Sequence, residues 1–260
     1  GGYMSLPLCL AAKILGIKIL LIEPNMILGR ANRFFLNFSK KLICYSKNII
    51  NLPSGINEKL ATIKPLIRKE YYETKTYLKK DNLFTIIVIG GSQGAKIFDK
   101  LLNKAFVSIA KKVSIKIIHQ SSKNINFLRN FYSLHKIESR VFSFDHNFNE
   151  ILKQGDLCIT RAGASSLAEL SYLNIPFIAI PLPSSKDNHQ YENAKYYKNQ
   201  GCCWIIDQKN FDEKKFENFL LELIYKRDDY LMKKNNLLKL NYQNTWNNVN
   251  QKLIKIINEN

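Results

Sequence analysis

Three polar stretches carry the residue types that could do chemistry. In IIVIGGSQGAK, residues 86–96, an apolar run ends at Gly90 and Gly91 and a helical pattern opens near Gly94. Glycines let a backbone come close to a ligand, and a helix N-terminus turns free N–H groups and the positive end of its dipole toward an anion. Phosphate binding suits this pattern; a tight turn that binds nothing is the alternative. The spacing is neither G-x-G-x-x-G nor G-x-x-x-x-G-K-[ST], which argues against the usual NAD and ATP motifs. In TRAGASSLAEL, residues 160–170, Arg161 follows the apolar DLCI, and Ser166-x-x-Glu169 has the spacing of a capping box. Glu169 either closes that box or holds a ligand. In PLPSSKDNHQYENA, residues 181–194, a polar loop leads to His189, Gln190 and Asn193. Gln190 and Asn193 are three apart and share a helix face, where amides could read sugar hydroxyls. An ordinary solvated first turn would look the same.

Other chemistries find less support. The four histidines lack H-x-x-x-H or H-E-x-x-H spacing, and no Asp-x-Asp is present, so no metal site is expected. The five cysteines form no C-x-x-C and read as reduced structural thiols. With 39 Lys and Arg against 21 Asp and Glu, the formal charge is +18. That invites nucleic acid or an anionic lipid surface as partner. The joint abundance of Lys, Asn and Ile, as an AT-rich coding sequence would give, explains it equally, and no RNA-binding motif accompanies it. No apolar run reaches the roughly 18 residues of a membrane span. The opening GGYMSLP has neither an initiator Met nor a signal-peptide layout, and its loop-like Gly-Gly suggests that the chain has lost its natural N-terminus.

The elements that must position these stretches follow from periodicity. LFTIIVIGG, VSIKIIHQ, RVFSF, DLCIT, IPFIAIP and CCWII read as strands. GAKIFDKLLNKAFVSIAKK, NINFLRNFYSLHK, NFNEILKQ, ASSLAELSYLN and NHQYENAKYYKNQG read as the helices between them. Strand–helix alternation with continuously apolar strands predicts a doubly wound parallel α/β sheet covered on both faces. Residues 1–66 give a shorter series: PLCLAAKIL helical, IKILLI a strand, RANRFFLNFSK helical, KLICYS a strand. We expect a partial N-terminal domain over 1–66, a second domain over 67–227, and a helical tail over 228–260 that packs back on a domain surface. SGINEKLATIKPLIRKEYY is expected to be the crossing between domains. The apolar faces of PLCLAAKIL and RFFLNFSKK, flanked by lysines, either pack in the core or dock on a membrane.

GGYMSLP, EPNMILGRANR, KPLIRKEY, GGSQGAK, RAGASSLAE and KDNHQYENA occur in an order and at a spacing that resemble the MurG-type transferases of glycosyltransferase family 28. The resemblance runs through nearly the whole chain and is least distinctive in the tail. It implies a GT-B fold, two Rossmann-like domains facing a cleft, the N-terminal one incomplete here. It implies inverting transfer of N-acetylglucosamine from UDP-N-acetylglucosamine to a lipid-linked muramyl-pentapeptide in peptidoglycan synthesis, on the cytoplasmic side of the bacterial inner membrane as a peripheral protein. No cofactor and no nucleic acid are implied. By position, Ser92 with Gly91, Gln93 and Gly94 would hold the diphosphate, and Phe144 would pack against uracil. Ala164, Ser165, Ser166 and Glu169 would line the nucleotide, with Glu169 accepting from the ribose hydroxyls. Gln190 and Asn193, with His189 beside them, would read the N-acetylglucosamine; Asn25 and Arg68 would contact the donor. The family's first glycine-rich loop has no counterpart in the chain, Ile22-Glu23-Pro24-Asn25 stands where His-Glu-Gln-Asn is common, and Leu6 replaces a usual Gly. The catalytic base is unassigned. Another GT-B enzyme of UDP-sugars, a glycolipid synthase or an epimerase, is the nearest alternative, and a basic nucleic-acid-binding protein the more distant one.

Overall fold

The structure, a computed structural model, describes residues 5–73, 82–90 and 96–259. Near the N-terminus, helix α1 (Ser5–Ile14) leads to β1 (Leu20–Glu23), α2 (Arg30–Phe35), β2 (Lys41–Cys44) and β3 (Leu60–Thr62). The strands form a parallel three-stranded sheet in the order β1-β2-β3. Phe35, Leu36, Leu42 and Cys44 fill its small core. β3 corrects one expectation: Leu60–Thr62 lies inside the stretch taken for an interdomain crossing, yet Leu42 pairs with Leu60 and Cys44 with Thr62. Three residues between Lys59 and Ile63 are too short to show a strand period. The crossing proper ends in a short helix, α3 (Lys69–Glu73).

The larger sheet begins with β4 (Phe84–Ile89), whose six residues are all buried. Side chains alternate across a strand, so Ile86 and Val88 join one core layer with Phe98, Leu102 and Phe106. Ile87 and Ile89 join the opposite layer with Leu167 and Leu170. The chain runs on through α4 (Phe98–Leu101), α5 (Asn103–Ala110), β5 (Ile115–Gln120), α6 (Ile125–Leu134), β6 (Glu138–Phe142) and α7 (Phe148–Leu152). It then continues through β7 (Leu157–Thr160), α8 (Ala164–Tyr172), β8 (Phe177–Ala179), α9 (His189–Asn199) and β9 (Cys203–Ile205). The sheet is parallel throughout, in the order β6-β5-β4-β7-β8-β9. Strand order reverses between β4 and β7, and a crevice opens there at the carboxyl ends.

Three helices close the chain: α10 (Glu213–Tyr225), α11 (Asp228–Leu240) and α12 (Trp246–Asn258). α10 is absent from the expected elements. Its buried Phe216, Leu220, Leu223 and Ile224 recur at helical spacing, and Asp212 caps it by accepting from the Lys215 N–H at 2.8 Å. α11 and α12 carry the expected helical tail. Tyr230 and Leu237 of α11 enter the two core layers of the large sheet. Trp246 of α12 meets the Tyr72 ring edge-on at 5.6 Å. The long helical stretch expected over 94–112 is broken at Leu102, where the Asn103 side-chain amide donates to the Asp99 carbonyl at 2.7 Å.

Cys44, Cys158, Cys202 and Cys203 are buried and Cys9 half-buried. Burial pushes the thiols of Cys44 and Cys203 up to about 12 and that of Cys202 to about 11. A thiol-specific colorimetric reagent at neutral pH should therefore titrate Cys9 first, and all five cysteines only after unfolding. Rapid native-state reaction at a second position would show that the packing around these strands is looser than described.

Candidate functional site

A cavity of about 710 Å³ lies at the carboxyl ends of β4 and β7, lined by Arg68, Ile89, Phe144, Ser165, Ser166 and Glu169 among others. Five expected site residues thus share one space: Arg68, Phe144, Ser165, Ser166 and Glu169. Gly91, Ser92, Gln93 and Gly94 lie outside the described residues. Phe144 sits beyond β6, which ends two residues earlier than the apolar run RVFSF suggested. Its ring is 70% exposed and meets His146 edge-on at 4.9 Å, leaving aromatic surface open for stacking.

The capping-box reading of Ser166 and Glu169 is corrected. α8 starts at Ala164 with Gly163 as an extended N-cap and no side-chain cap. Ser166 is the third helical residue, so it cannot cap its own helix, and Glu169 lies a turn further in. The first intrahelical bond runs from the Leu167 N–H to the Gly163 carbonyl at 3.0 Å. Helix geometry leaves the preceding N–H groups of Ala164, Ser165 and Ser166 without intrahelical partners, at the positive end of the helix dipole.

Glu169 is braced from the crossing segment. Tyr71 Oη donates to its Oε2 at 3.0 Å, and Arg68 Nε lies 3.5 Å from Oε1. Arg68 also donates from Nη2 to Tyr71 Oη at 2.9 Å, pairs with Glu70 at 2.9 Å, and sets its guanidinium over the Tyr71 ring. The Glu169 side chain is 13% exposed. Burial raises its pKa, and this outweighs the opposing effect of Tyr71 and Arg68. Tyr71, itself buried with its hydroxyl pKa raised by burial, is a site residue the sequence reading did not single out. It stands in KPLIRKEY, three residues after Arg68.

Asn25, His189, Gln190 and Asn193 occupy the joint between the two sheets. Asn193 is 2% exposed. Its Oδ1 accepts from the Met26 N–H at 2.9 Å, and its Nδ2 donates to Asn25 Oδ1 and to the Ala162 carbonyl, both at 3.1 Å. In this structure its amide ties the β1–α2 loop to the β7–α8 junction. Asn25 is engaged too, donating from Nδ2 to Glu23 Oε1 at 3.0 Å. Glu23 is buried and accepts further bonds from the Asn25 and Gly29 N–H groups and from Asn32 Nδ2, so it organises this loop. Gln190 Oε1 accepts from the Leu182 N–H at 2.9 Å, which places its amide at the β8–α9 loop. His189 Nδ1 lies 2.7 Å from the Lys186 carbonyl. Asn25 and His189 line a second cavity, about 560 Å³, with Leu6, Ile22, Leu28 and Arg30. Arg161, buried behind α8, donates to the Ile180 carbonyl at 2.9 Å and to Gln208 Oε1 at 2.7 Å, with its guanidinium 4.8 Å from the Phe98 ring centroid.

Two parallel sheets joined through polar loops, with a helix N-terminus and an open aromatic ring at a topological switch point, define an α/β protein of GT-B architecture. The family described as Glycosyltransferase family 28 C-terminal domain matches residues 85–248. A Pelagibacter ubique protein named UDP-N-acetylglucosamine--N-acetylmuramyl-(pentapeptide) pyrophosphoryl-undecaprenol N-acetylglucosamine transferase is 48% identical over 262 residues, covering 100% of this chain and 73% of its own length. A Rickettsia bellii protein of the same name is 36% identical, covering 86% of this chain and 65% of its own length. Among solved structures, MurG of Acinetobacter baumannii superposes with a TM-score of 0.78 at 25% identity, covering 100% of this chain and 72% of its own. The UDP-GlcNAc 2-epimerase of Neisseria meningitidis, at 14% identity and a TM-score of 0.64, shares the fold. The chain belongs to glycosyltransferase family 28, among its MurG-type transferases.

A carboxyl whose pKa is raised by folding binds its proton more tightly in the native than in the unfolded chain. Stability therefore falls as pH climbs from the ordinary value of 4.5 through the raised one. Glu169→Gln cannot ionise and should abolish that loss. The urea midpoint of the variant relative to wild type should rise between about pH 4 and pH 7. A difference that stays flat or reverses would contradict the balance described for Glu169.

Proposed function

We propose that the chain carries the donor-binding part of an enzyme that moves N-acetylglucosamine from UDP-N-acetylglucosamine to a lipid-linked muramyl-pentapeptide, with inversion at the anomeric carbon. The carrying observation is the placement of Glu169 in the switch-point cavity that Phe144 and the α8 N-terminus also line. On this reading Phe144 stacks on uracil, Glu169 accepts from the ribose hydroxyls, and the start of α8 faces the diphosphate. Family membership supports the reading, and the named relatives supply its donor and acceptor.

The mechanism follows from where charge develops. The acceptor's hydroxyl oxygen bonds to the anomeric carbon as its proton passes to a base, the bond to the diphosphate oxygen breaks, and UDP leaves with the added negative charge. N–H donors and a helix dipole already oriented toward that charge stabilise the transition state without reorganising. Arg68, half-exposed beside Glu169, adds a cation at the cavity rim. These groups belong to the protein itself, so the reading invokes no cofactor. Gln190 is the amide proposed for the sugar. Asn193 and Asn25 hold the loop from which the acceptor side approaches.

We assign the acceptor side to the small sheet and a peripheral membrane contact to its helices. α1 has no buried residue. Leu8, Ile14, Leu15 and Ile17 are exposed there, as are Phe34 and Phe38, with Lys13 set over the Phe38 ring at 3.5 Å. Phe35 and Leu36 do enter the core, so core packing accounts for part of RFFLNFSKK and leaves the α1 face unaccounted for. Among the described residues no helix is long and apolar enough to cross a membrane. An apolar face ringed by lysines suits shallow attachment to anionic lipid.

Two measurements test these assignments. Calorimetry should show Glu169→Ala weakening UDP binding by about tenfold or more, the scale of a hydrogen bond to a charged group. Binding of 2′-deoxy-UDP should change less, and equal affinity of the wild type for both ligands would refute the ribose contact. In flotation with anionic vesicles at low salt, the protein should rise with the lipid, and Ile14→Glu should reduce the floating fraction. No flotation of the wild type would remove the membrane contact.

A further inference from the structure

Behind the wall of the switch-point cavity lies a buried polar cluster that the proposed chemistry does not use. His119, near the carboxyl end of β5, is fully buried, and Asp99 on α4 is 2% exposed. His119 Nδ1 lies 2.8 Å from Tyr132 Oη, and Nε2, which has no aligned hydrogen-bond partner among the described residues, faces Asp99 Oδ1 at 3.2 Å. Asp99 Oδ2 accepts from Ser121 Oγ at 2.9 Å and from Asn124 Nδ2 at 2.7 Å. Ser121 Oγ in turn accepts from the Asn124 N–H at 3.2 Å, which closes the β5–α6 turn on itself.

That turn reaches the cavity. Gln120 and Ser122, on either side of Ser121, line it. Gln120 Nε2 donates to the Ser143 carbonyl at 3.3 Å, and the next residue is Phe144. A continuous path therefore runs from Asp99 through the turn to the aromatic ring of the cavity. An aspartate buried among apolar strands is costly unless its oxygens are satisfied, and here three side chains converge on it from β5 and the turn. Burial disfavours its ionised form, but the contacts with His119, Asn124 and Ser121 outweigh this and hold its pKa below the ordinary value. A bare ring nitrogen facing an ionised carboxylate at this range would oppose two lone pairs in a dry site. The proton thus belongs on Nε2, and Nδ1 accepts from the Tyr132 hydroxyl.

We propose that Asp99 and His119 are positioning residues for nucleotide binding: with His119 as the Nε2–H tautomer, they fix the β5–α6 turn against α4 and, through Gln120, set the Ser143–Phe144 loop at the cavity. This rests on the donor reading given above. Misplacing a binding wall by a fraction of its contact distance is expensive in affinity, so the pair matters without touching ligand.

The experiment combines calorimetry with ¹⁵N spectroscopy of the histidine rings in the full chain. Asp99→Ala should weaken UDP binding by about tenfold or more, whereas Asp99→Asn should stay within about threefold. In the asparagine variant the carbonyl oxygen still takes Ser121 and Asn124, and the amide donates to His119, whose proton moves to Nδ1. The ring nitrogen shifts should report Nε2–H in wild type and Nδ1–H in Asp99→Asn. Ile109→Val, a core residue of α5 outside the Asp99 hydrogen-bond network, serves as a destabilised control that should keep its UDP affinity. Should Asp99→Ala not fold, Ser121→Ala removes one strand of the same network and should also weaken binding. Unchanged UDP affinity in Asp99→Ala or, in its place, Ser121→Ala overturns the proposal, as does an Nδ1–H tautomer in wild type. Failure of the wild type to bind UDP would instead sink the donor reading, so the two outcomes are distinguishable.

Discussion

Burial of β4 on both faces is the constraint from which the site follows. Its residues, Phe84 to Ile89, cannot tolerate solvent on either side, so helices must cover both faces of the sheet. Parallel strands need crossovers, and crossovers of one hand that start on opposite sides of β4 carry the chain away in opposite directions. The chain leaves β4 for β5 and β6, then returns across it to β7, β8 and β9. At the one place where neighbouring strands send their connections apart, the backbone leaves a crevice. Apolar burial thereby fixes the position of a polar site, and Phe144, Ser165 and Glu169 arrive there as consequences of topology.

A different physics joins the two sheets. Asn193 makes one acceptor and one donor contact across the joint, to Met26 and Asn25, with a further donor contact to Ala162 on its own side, and Glu23 gathers four donated hydrogen bonds behind it. Each such bond contributes only about 1 kcal/mol net, but leaving a buried member unpaired costs about 1–3 kcal/mol. The joint is therefore selective about geometry more than it is strong. The exposed Arg30–Asp187 pair at 2.9 Å adds little by comparison. Asp187 and Asn188 both sit at positive φ, 53° and 57°, in a region that Asp and Asn tolerate better than most side chains. They bend the β8–α9 loop so that α9 starts with Asn193 one turn in, within reach of Asn25 and Met26.

Much of this was legible in the sequence, for identifiable reasons. Strands buried along their whole length, as β4, β7 and β8 are, write themselves as continuous apolar runs, and the partly exposed β5, β6 and β9 keep enough of that pattern to be read from residue type. The turn chemistry around Gly163 and the polar loop before His189 marked the carboxyl ends of β7 and β8. β3 escaped because a three-residue strand has no period. α10 escaped even though Phe216, Leu220, Leu223 and Ile224 repeat at helical spacing after the capping Asp212. Asn193 was legible as an amide on a helix face, but its partners lie 167 and 168 positions away. No local pattern announces that an amide will be occupied by a loop from another sheet. Tyr71 was hidden for the same reason, since it acts on Glu169 across 98 positions.

Glu169 shows how such long-range partners change what a residue can do. As a capping group it would have been a local stabiliser; as built, it is a buried carboxylate braced by a phenol and a guanidinium. A ribose diol at this carboxylate could complement or displace the braces already present. Hydrogen bonds to a charged group contribute about 1.5–3 kcal/mol each, so replacing Tyr71 by a ribose hydroxyl would be close to neutral. Only hydroxyls that add to the braces, meeting oxygen lone pairs that Tyr71 and Arg68 leave open, contribute affinity of their own, and a ligand without them forgoes that contribution. On the donor reading, a ribose contact at Glu169 therefore strengthens binding by adding to the Tyr71–Arg68 brace, not by displacing it. The crossing segment that supplies Tyr71 and Arg68 lies between β3 of the small sheet and β4 of the large one. A change in the brace at Glu169 would therefore be felt in the segment that connects the two sheets.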